Sequence, residues 1–167
     1  LSVVAVSLKK KFDNVPEIMH RLIDITGRTD LHWHIIGYGA DERLIIDRIA
    51  ESGMESRVHL LGKRDNPYPY MAACDLYIQP SRYEGKSIAV REAQMLGRPV
   101  IITDYATARS QVDNGTDGLI VPLDNASCAR AIADALSSPG LLTGLASATA
   151  TRDYTLSLEV QKLYRLL

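Results

Sequence analysis

The sequence predicts an α/β domain built on a Rossmann-like, doubly wound parallel sheet of about six strands. Three observations lead there. Short runs rich in Val and Ile alternate with longer segments of helical periodicity. The runs are mainly apolar, as strands covered on both faces must be. A length of 167 residues, 46% of them hydrophobic and 23% charged, is enough for one domain with a proper core.

In chain order, strands are expected near residues 2–7, 32–37, 58–60, 76–79, 100–103 and 118–121. The segment 15–26 carries Ile18, Leu22 and Ile25 on one stripe, and 41–52 carries Leu44, Ile45 and Ile49, so both read as amphipathic covering helices. Residues 68–73 form a short helix begun among prolines. Another spans 87–96, stopped by Gly97 with Pro99 beyond it. Asp124 caps a helix running to about Leu136, which Ser138-Pro139-Gly140 breaks. Helical stretches over 141–150 and 156–167 follow, the small-residue run 145–151 reading as a loosely packed helix.

Composition narrows the function. A formal net charge of -1 supplies no basic field for nucleic acid, and no run of about 18 apolar residues could span a bilayer. Cys74 and Cys128 lie far apart with no visible signal peptide, which predicts buried, inert thiols in a reducing, cytoplasmic setting. The chain opens at Leu1 directly in strand-like sequence, as expected of a piece of a longer protein.

In an open doubly wound sheet, ligands sit beyond the carboxyl ends of the strands where strand order reverses. The loops there carry Ser7 with Lys9-Lys10-Lys11, then Gly37-Tyr38-Gly39, then Gly62-Lys63-Arg64, then Ser81-Arg82-Tyr83-Glu84-Gly85. Gly37 and Gly39 allow close backbone approach, but Glu42 stands where a dinucleotide fingerprint needs its third glycine, and a tight turn with Asp41 near the helix cap is the plainer reading. The helix opening at Ser87 offers backbone N–H groups and a partial positive charge to an anion. Glu92, on the same face as Ile88, would lie one turn in and could accept hydrogen bonds from both hydroxyls of a ribose, while Glu84 reaches the other end of the ligand. On spacing alone, Glu84 also reads as a solvated loop acid, and Glu92 as the partner of Arg91, Lys86 or Arg98. The apolar surroundings of Glu92 argue for a purpose. The lysine run reads as a solvated loop from which one side chain could neutralise a diphosphate. His32 and His34 share a strand face, with no third residue at metal-ligand spacing, and a core or edge position is expected. No metal site is expected. Asn114-Gly115-Thr116 reads as a turn and Asn125-Ala126-Ser127 as a helix cap.

Pro80-Ser81-Arg82-Tyr83-Glu84-Gly85, followed by Arg91-Glu92-Ala93-Gln94-Met95-Leu96-Gly97-Arg98-Pro99-Val100-Ile101, resembles family 4 retaining glycosyltransferases of the GT-B fold. Ser2 to Leu8, Ile35 to Gly39, Val58 to Gly62 and Asp113 to Pro122 extend the likeness along nearly the whole chain. The resemblance implies the C-terminal, donor-binding half of such an enzyme, transferring a hexose from a nucleotide-diphosphate sugar such as a UDP- or GDP-sugar, without a cofactor. It implies that Glu92 holds the ribose, that Glu84 faces the transferred sugar, and that Gly85, Lys86, Ser87 and Ile88 meet sugar hydroxyls and phosphate. Lys63 and Arg64 would frame the base, and Lys11, with Lys10 as the register alternative, would face the diphosphate. The family's arginine after the opening strand is Ser7 here, which cannot replace its charge.

The same resemblance implies an acceptor-binding N-terminal domain absent from these 167 residues, so the piece alone is expected not to turn over. The tail 154–167 resembles the helix that packs toward that domain. Polysaccharide or glycolipid assembly is the implied setting, with peripheral association at the inner membrane face in the full-length enzyme. A GT-B sugar-nucleotide epimerase and a non-catalytic nucleotide-sugar-binding module are the alternatives.

Overall fold

The computed structural model describes residues 2–6 as backbone, together with 12–138, 140–152 and 154. The expected roles of Ser7, Lys10 and Lys11, and the helix expected over 156–167, fall outside the described residues. In chain order the elements are β1 (Ser2–Val6), α1 (Val15–Thr26), β2 (His32–Ile36), α2 (Glu42–Glu51), β3 (Val58–Gly62), α3 (Tyr68–Ala73), β4 (Leu76–Gln79), α4 (Ile88–Met95), β5 (Val100–Thr103), β6 (Leu119–Val121), α5 (Asn125–Ser137) and α6 (Leu141–Thr151). Short 3₁₀ turns at Phe12–Asn14 and Ala108–Ser110 complete the list.

All strand pairings are parallel, in the order β3-β2-β1-β4-β5-β6, so the predicted doubly wound sheet is present. The order reverses between β1 and β4. Chain connections diverge there, which opens a crevice beyond the carboxyl ends of those two strands.

Alternation along each strand divides the core. Trp33, Ile35, Val58, Leu76, Ile78, Ile101 and Val121 face one side, where they pack with Ile18 and Leu22 of α1, Ile45 and Ile49 of α2 and Ile132 of α5. Ile36, Tyr77, Val100 and Ile102 face the other, against Met71 of α3 and Val90 and Ala93 of α4. Cys74 and Cys128 are buried and not joined in a disulfide, and burial pushes the Cys128 thiol up to about 12.

Several boundaries move from the sequence expectation. β3 runs on to Gly62 because Ile36 pairs with it across a register shift, and Gly37 then donates its N–H to the Gly62 carbonyl at 2.9 Å. Asp41 is the N-cap of α2 by position but makes no side-chain capping bond. Asp124 does cap α5, accepting the Ser127 N–H at 2.8 Å. Asn125, expected within a cap, instead links α5 to α1: its Nδ2 donates to Glu17 at 2.6 Å and its Oδ1 accepts from Asn14 at 3.2 Å.

Gly118 sits where the chain enters β6. A Cβ there would lie 2.5 Å from Val100 Cγ2 and 3.0 Å from the Val100 carbonyl oxygen, so the segment packs tightly only without a side chain. Just before it, buried Asp117 accepts hydrogen bonds from the Asp113 N–H at 2.7 Å, Arg152 Nη1 at 2.6 Å and the Tyr154 hydroxyl at 3.2 Å. These bonds hold the chain beyond α6 to the turn preceding β6.

His32 and His34 occupy one face as expected, and His59 joins them because β2 and β3 pair His34 with His59. His32 Nδ1 lies 3.1 Å from His59 Nε2, and the His34 and His59 rings stack 5.0 Å apart. All three imidazoles are only half buried. Burial first, then the neighbouring imidazoles, lowers His34 and His59 below the ordinary 6.5.

Two predictions follow from this packing. Gly118→Ala should destabilise the protein by about 1–3 kcal/mol, read from chemical denaturation, because Val100 must shift. Around and below pH 6.5, folded His34 and His59 bind fewer protons than they do in the unfolded chain. Stability should therefore be full above that pH and fall as pH drops through it, and melts from pH 7.5 to 5 should show a shallower fall in His59→Gln.

Candidate functional site

The chain leaves β4 through a loop, residues 80–87, whose conformation is set from three directions. Thr103 at the end of β5 donates its hydroxyl to the Ser81 carbonyl. The Thr107 hydroxyl lies 2.8 Å from the carbonyl oxygens of both Glu84 and Gly85. Gln111 then clamps the loop where it enters α4. Its Oε1 accepts the Ser87 N–H at 3.1 Å, its Nε2 donates to the Ser87 carbonyl, and its Oε1 also accepts from the Tyr105 hydroxyl at 3.0 Å. Burial pushes that phenol up to about 12.

Glu84 is held at this edge by hydrogen bonds. Its Oε1 accepts from Gln79 Nε2 at 3.0 Å and from Ser81 Oγ at 2.9 Å. Gln79 and Ser81 are fully buried, and Gln79 in turn accepts from the buried Tyr77 hydroxyl at 2.6 Å. The solvated-acid reading of Glu84 therefore gives way to that of a half-buried carboxylate fixed by neutral donors.

Glu92 stands on the outer face of α4, one turn from the 75% exposed Ile88. It accepts a hydrogen bond from the Tyr68 hydroxyl of α3 at 2.8 Å, and that bond raises the Tyr68 phenol above its usual value. Arg91 instead covers the Tyr154 ring, and Arg98 donates to the carbonyls of Leu96 and Cys74. The expected surface pairing of Glu92 with either arginine is thus replaced by a bond to Tyr68.

The first-turn N–H groups of α4 have no partner within the helix. The Ser87 N–H is committed to Gln111, so among the expected amides it is Ile88 that lies within the first turn. Lys63 and Arg64 are exposed beyond β3, over the rings of Tyr38 at 5.6 Å and Tyr70 at 5.8 Å. Gly37 and Gly39 lie on the neighbouring turn beyond β2, where Gly37 adopts φ 144°. Among the described residues no group of three His, Cys, Asp or Glu side chains could hold a metal ion. A separate groove of about 750 Å³ beside α1 is lined by Glu17, Arg21, Arg48 and Glu51 and meets this loop only through Arg82, which pairs with Asp13 at 3.8 Å.

The family model described as "Glycosyl transferases group 1" matches residues 3–138, most of the chain. The chain belongs to the group 1 glycosyl transferases. Among curated members it is 35% identical over 99 residues to a Campylobacter jejuni N-acetylgalactosamine-N,N'-diacetylbacillosaminyl-diphospho-undecaprenol 4-alpha-N-acetylgalactosaminyltransferase, covering 59% of this chain and 27% of that protein. It is 32% identical over 88 residues to the lipopolysaccharide core biosynthesis mannosyltransferase LpsB of Rhizobium meliloti, covering 52% and 25%. The aligned segments thus amount to about a quarter of these relatives' length. Crystal structures of S. aureus TarM and Anabaena HepE, each in complexes that include UDP, superpose with TM-scores of 0.84 and 0.74 at 21% and 22% identity. They cover 99% of this chain and 35% and 49% of theirs. The fold is the Rossmann-like α/β fold of one half of the GT-B type.

In this group 1 transferase domain, the site also involves residues that the sequence did not point to. Tyr68 and Gln111 each lie 24 positions from the residue they hold, beyond any helical or strand period. Gln79 did carry a signal, a polar residue ending an otherwise apolar strand. Gln111→Ala should strand the Ser87 peptide and the Tyr105 hydroxyl, lowering stability by about 2 kcal/mol or more in a urea titration.

Proposed function

We propose that this domain binds the nucleotide-diphosphate sugar of a retaining hexosyltransferase that works without a metal and whose acceptor half lies elsewhere in the protein. The observation that carries the reading is the placement of Glu84 and Glu92 on the two sides of the α4 N-terminus, beyond β4, the strand beside the reversal of sheet order. A carboxylate one turn into a helix can accept ribose hydroxyls while the helix end faces the diphosphate. Glu84 then meets the transferred sugar, together with backbone of Gly85 and Lys86. Lys63 and Arg64 frame the base, and Gly37 and Gly39 let the ligand approach the β2 turn. Lys11, or Lys10, would add positive charge against the departing diphosphate, a role the helix end shares. Ser7 brings none.

The names of the relatives support an acceptor in polysaccharide or glycolipid assembly, since they act on undecaprenyl-diphosphate glycans and lipopolysaccharide core. Such acceptors would bring the whole protein to a membrane surface, although no helix among the described residues is long and apolar enough to cross one. The domain by itself would bind without turnover, because transfer needs the closed cleft between two halves. A non-catalytic binding module is the second reading, favoured by Ser7 in place of the family arginine.

Calorimetric titration of the full-length protein with UDP, GDP and ADP should give binding to one of them. Glu92→Ala should weaken that affinity about tenfold or more through loss of hydrogen bonds to a charged group. Glu84→Gln should leave nucleotide affinity nearly intact and abolish most sugar transfer. Undiminished binding by Glu92→Ala would refute the site assignment, and a wild type that binds but neither transfers nor hydrolyses donor would favour the binding module.

A further inference from the structure

We propose that Gln79 and Tyr77 are positioning residues that fix the carboxylate of Glu84 for its work on the donor sugar, through a buried relay running from the core to the crevice. The inference rests on the reading of Glu84 given above and adds to it two residues that touch no ligand.

The relay follows from strand parity. Tyr77 and Gln79 are two residues apart in β4, so both project to the face covered by α3 and α4, and the Tyr77 hydroxyl reaches Gln79 Oε1 at 2.6 Å. Gln79 Nε2 then has two hydrogens to place. One goes to Ser81 Oγ at 2.8 Å and the other to Glu84 Oε1 at 3.0 Å. The single hydroxyl hydrogen of Ser81 goes to the same Glu84 oxygen at 2.9 Å. Each of these hydrogens is matched to an acceptor, and an ionised Glu84 sets the direction. Reversing the Gln79 amide would set its oxygen against the Glu84 oxygen with no hydrogen between them.

Burial shows where the relay points. Tyr77, Gln79 and Ser81 are all 0% exposed, so none of them draws hydrogen bonds from bulk water. Polar groups that deep are costly unless satisfied, and an aliphatic residue would serve the core of β4 with no such demand. Among the described residues, the relay ends on a half-buried acid at the edge of the crevice. Two neutral donors on one carboxylate oxygen hold both its orientation and its negative charge. Glu92 hangs from α4 and Tyr68 and shares none of these bonds. Loss of the relay should therefore slow turnover while sparing nucleotide affinity.

The test uses the full-length protein, with hydrolysis of UDP-glucose, UDP-N-acetylgalactosamine and GDP-mannose measured without acceptor and UDP and GDP affinity measured by calorimetry. Gln79→Leu should lower kcat for whichever donor is used about ten- to a hundredfold, with nucleotide Kd within about threefold of wild type. Tyr77→Phe should have the same sign and a smaller size. Gln79→Glu keeps the shape of the side chain and guards against simple misfolding. Its protonated acid can donate to Glu84 as the amide does, whereas its ionised form repels Glu84. It should stay active at low pH and add a descending alkaline limb to the pH–rate profile that the wild type lacks. An unchanged kcat in Gln79→Leu, a kcat loss matched by a loss of nucleotide affinity, or a wild-type pH profile in Gln79→Glu would each overturn the relay. A wild type that neither binds nor hydrolyses any of these nucleotides would overturn the donor-binding reading, and the relay with it.

Discussion

A parallel sheet buried on both faces imposes one constraint from which most of this domain follows. Each strand must be re-entered from the same end, so every connection crosses back over the sheet and every strand-to-helix loop emerges on one edge. Here six strands obey it, and the reversal of order between β1 and β4 parts the loops of the two halves. Glycines beyond β2, cations beyond β3 and acids beyond β4 are brought to one rim by backbone topology, before any side chain makes a specific contact.

What turns that rim into a defined surface is polar chemistry in places usually given to hydrocarbon. Thr103, Gln111, Gln79 and Ser81 are all buried, and each makes at least one hydrogen bond to the loop between β4 and α4 or to the acid it carries. A loop held only by apolar contacts could slide by a fraction of an ångström at little cost. One whose carbonyls and amides are individually matched cannot, because each mismatch leaves a buried group unpaired. The Gln111 clamp on Ser87 also selects which amides remain at the helix end.

Much of this was legible in the sequence. The Val and Ile runs located all six strands, and α1 and α3 matched their stripes and prolines to the residue. Errors gathered where geometry depends on distant partners. The extension of β3 needed the register with Ile36, and the two 3₁₀ turns are too short to show a period. His59 joined His32 and His34 only through strand pairing. At the site, the motif residues Glu84 and Glu92 stood out by spacing, but their alternative roles as surface acids could be discarded only once Gln79, Ser81 and Tyr68 were seen to hold them. Gln79 shows the limit well: its polarity was visible, while its target, five residues on around a turn, was not.

The bonds at Asp117 bear on how the protein can be divided. Its carboxylate is almost completely buried, and the side chains that compensate it, Arg152 and Tyr154, come from beyond the last described helix. A chain cut at the end of α6 would leave that buried carboxylate without the cation of Arg152, a fault of several kcal/mol. Among the described residues, the segment that follows α6 is therefore tied to the sheet by electrostatics.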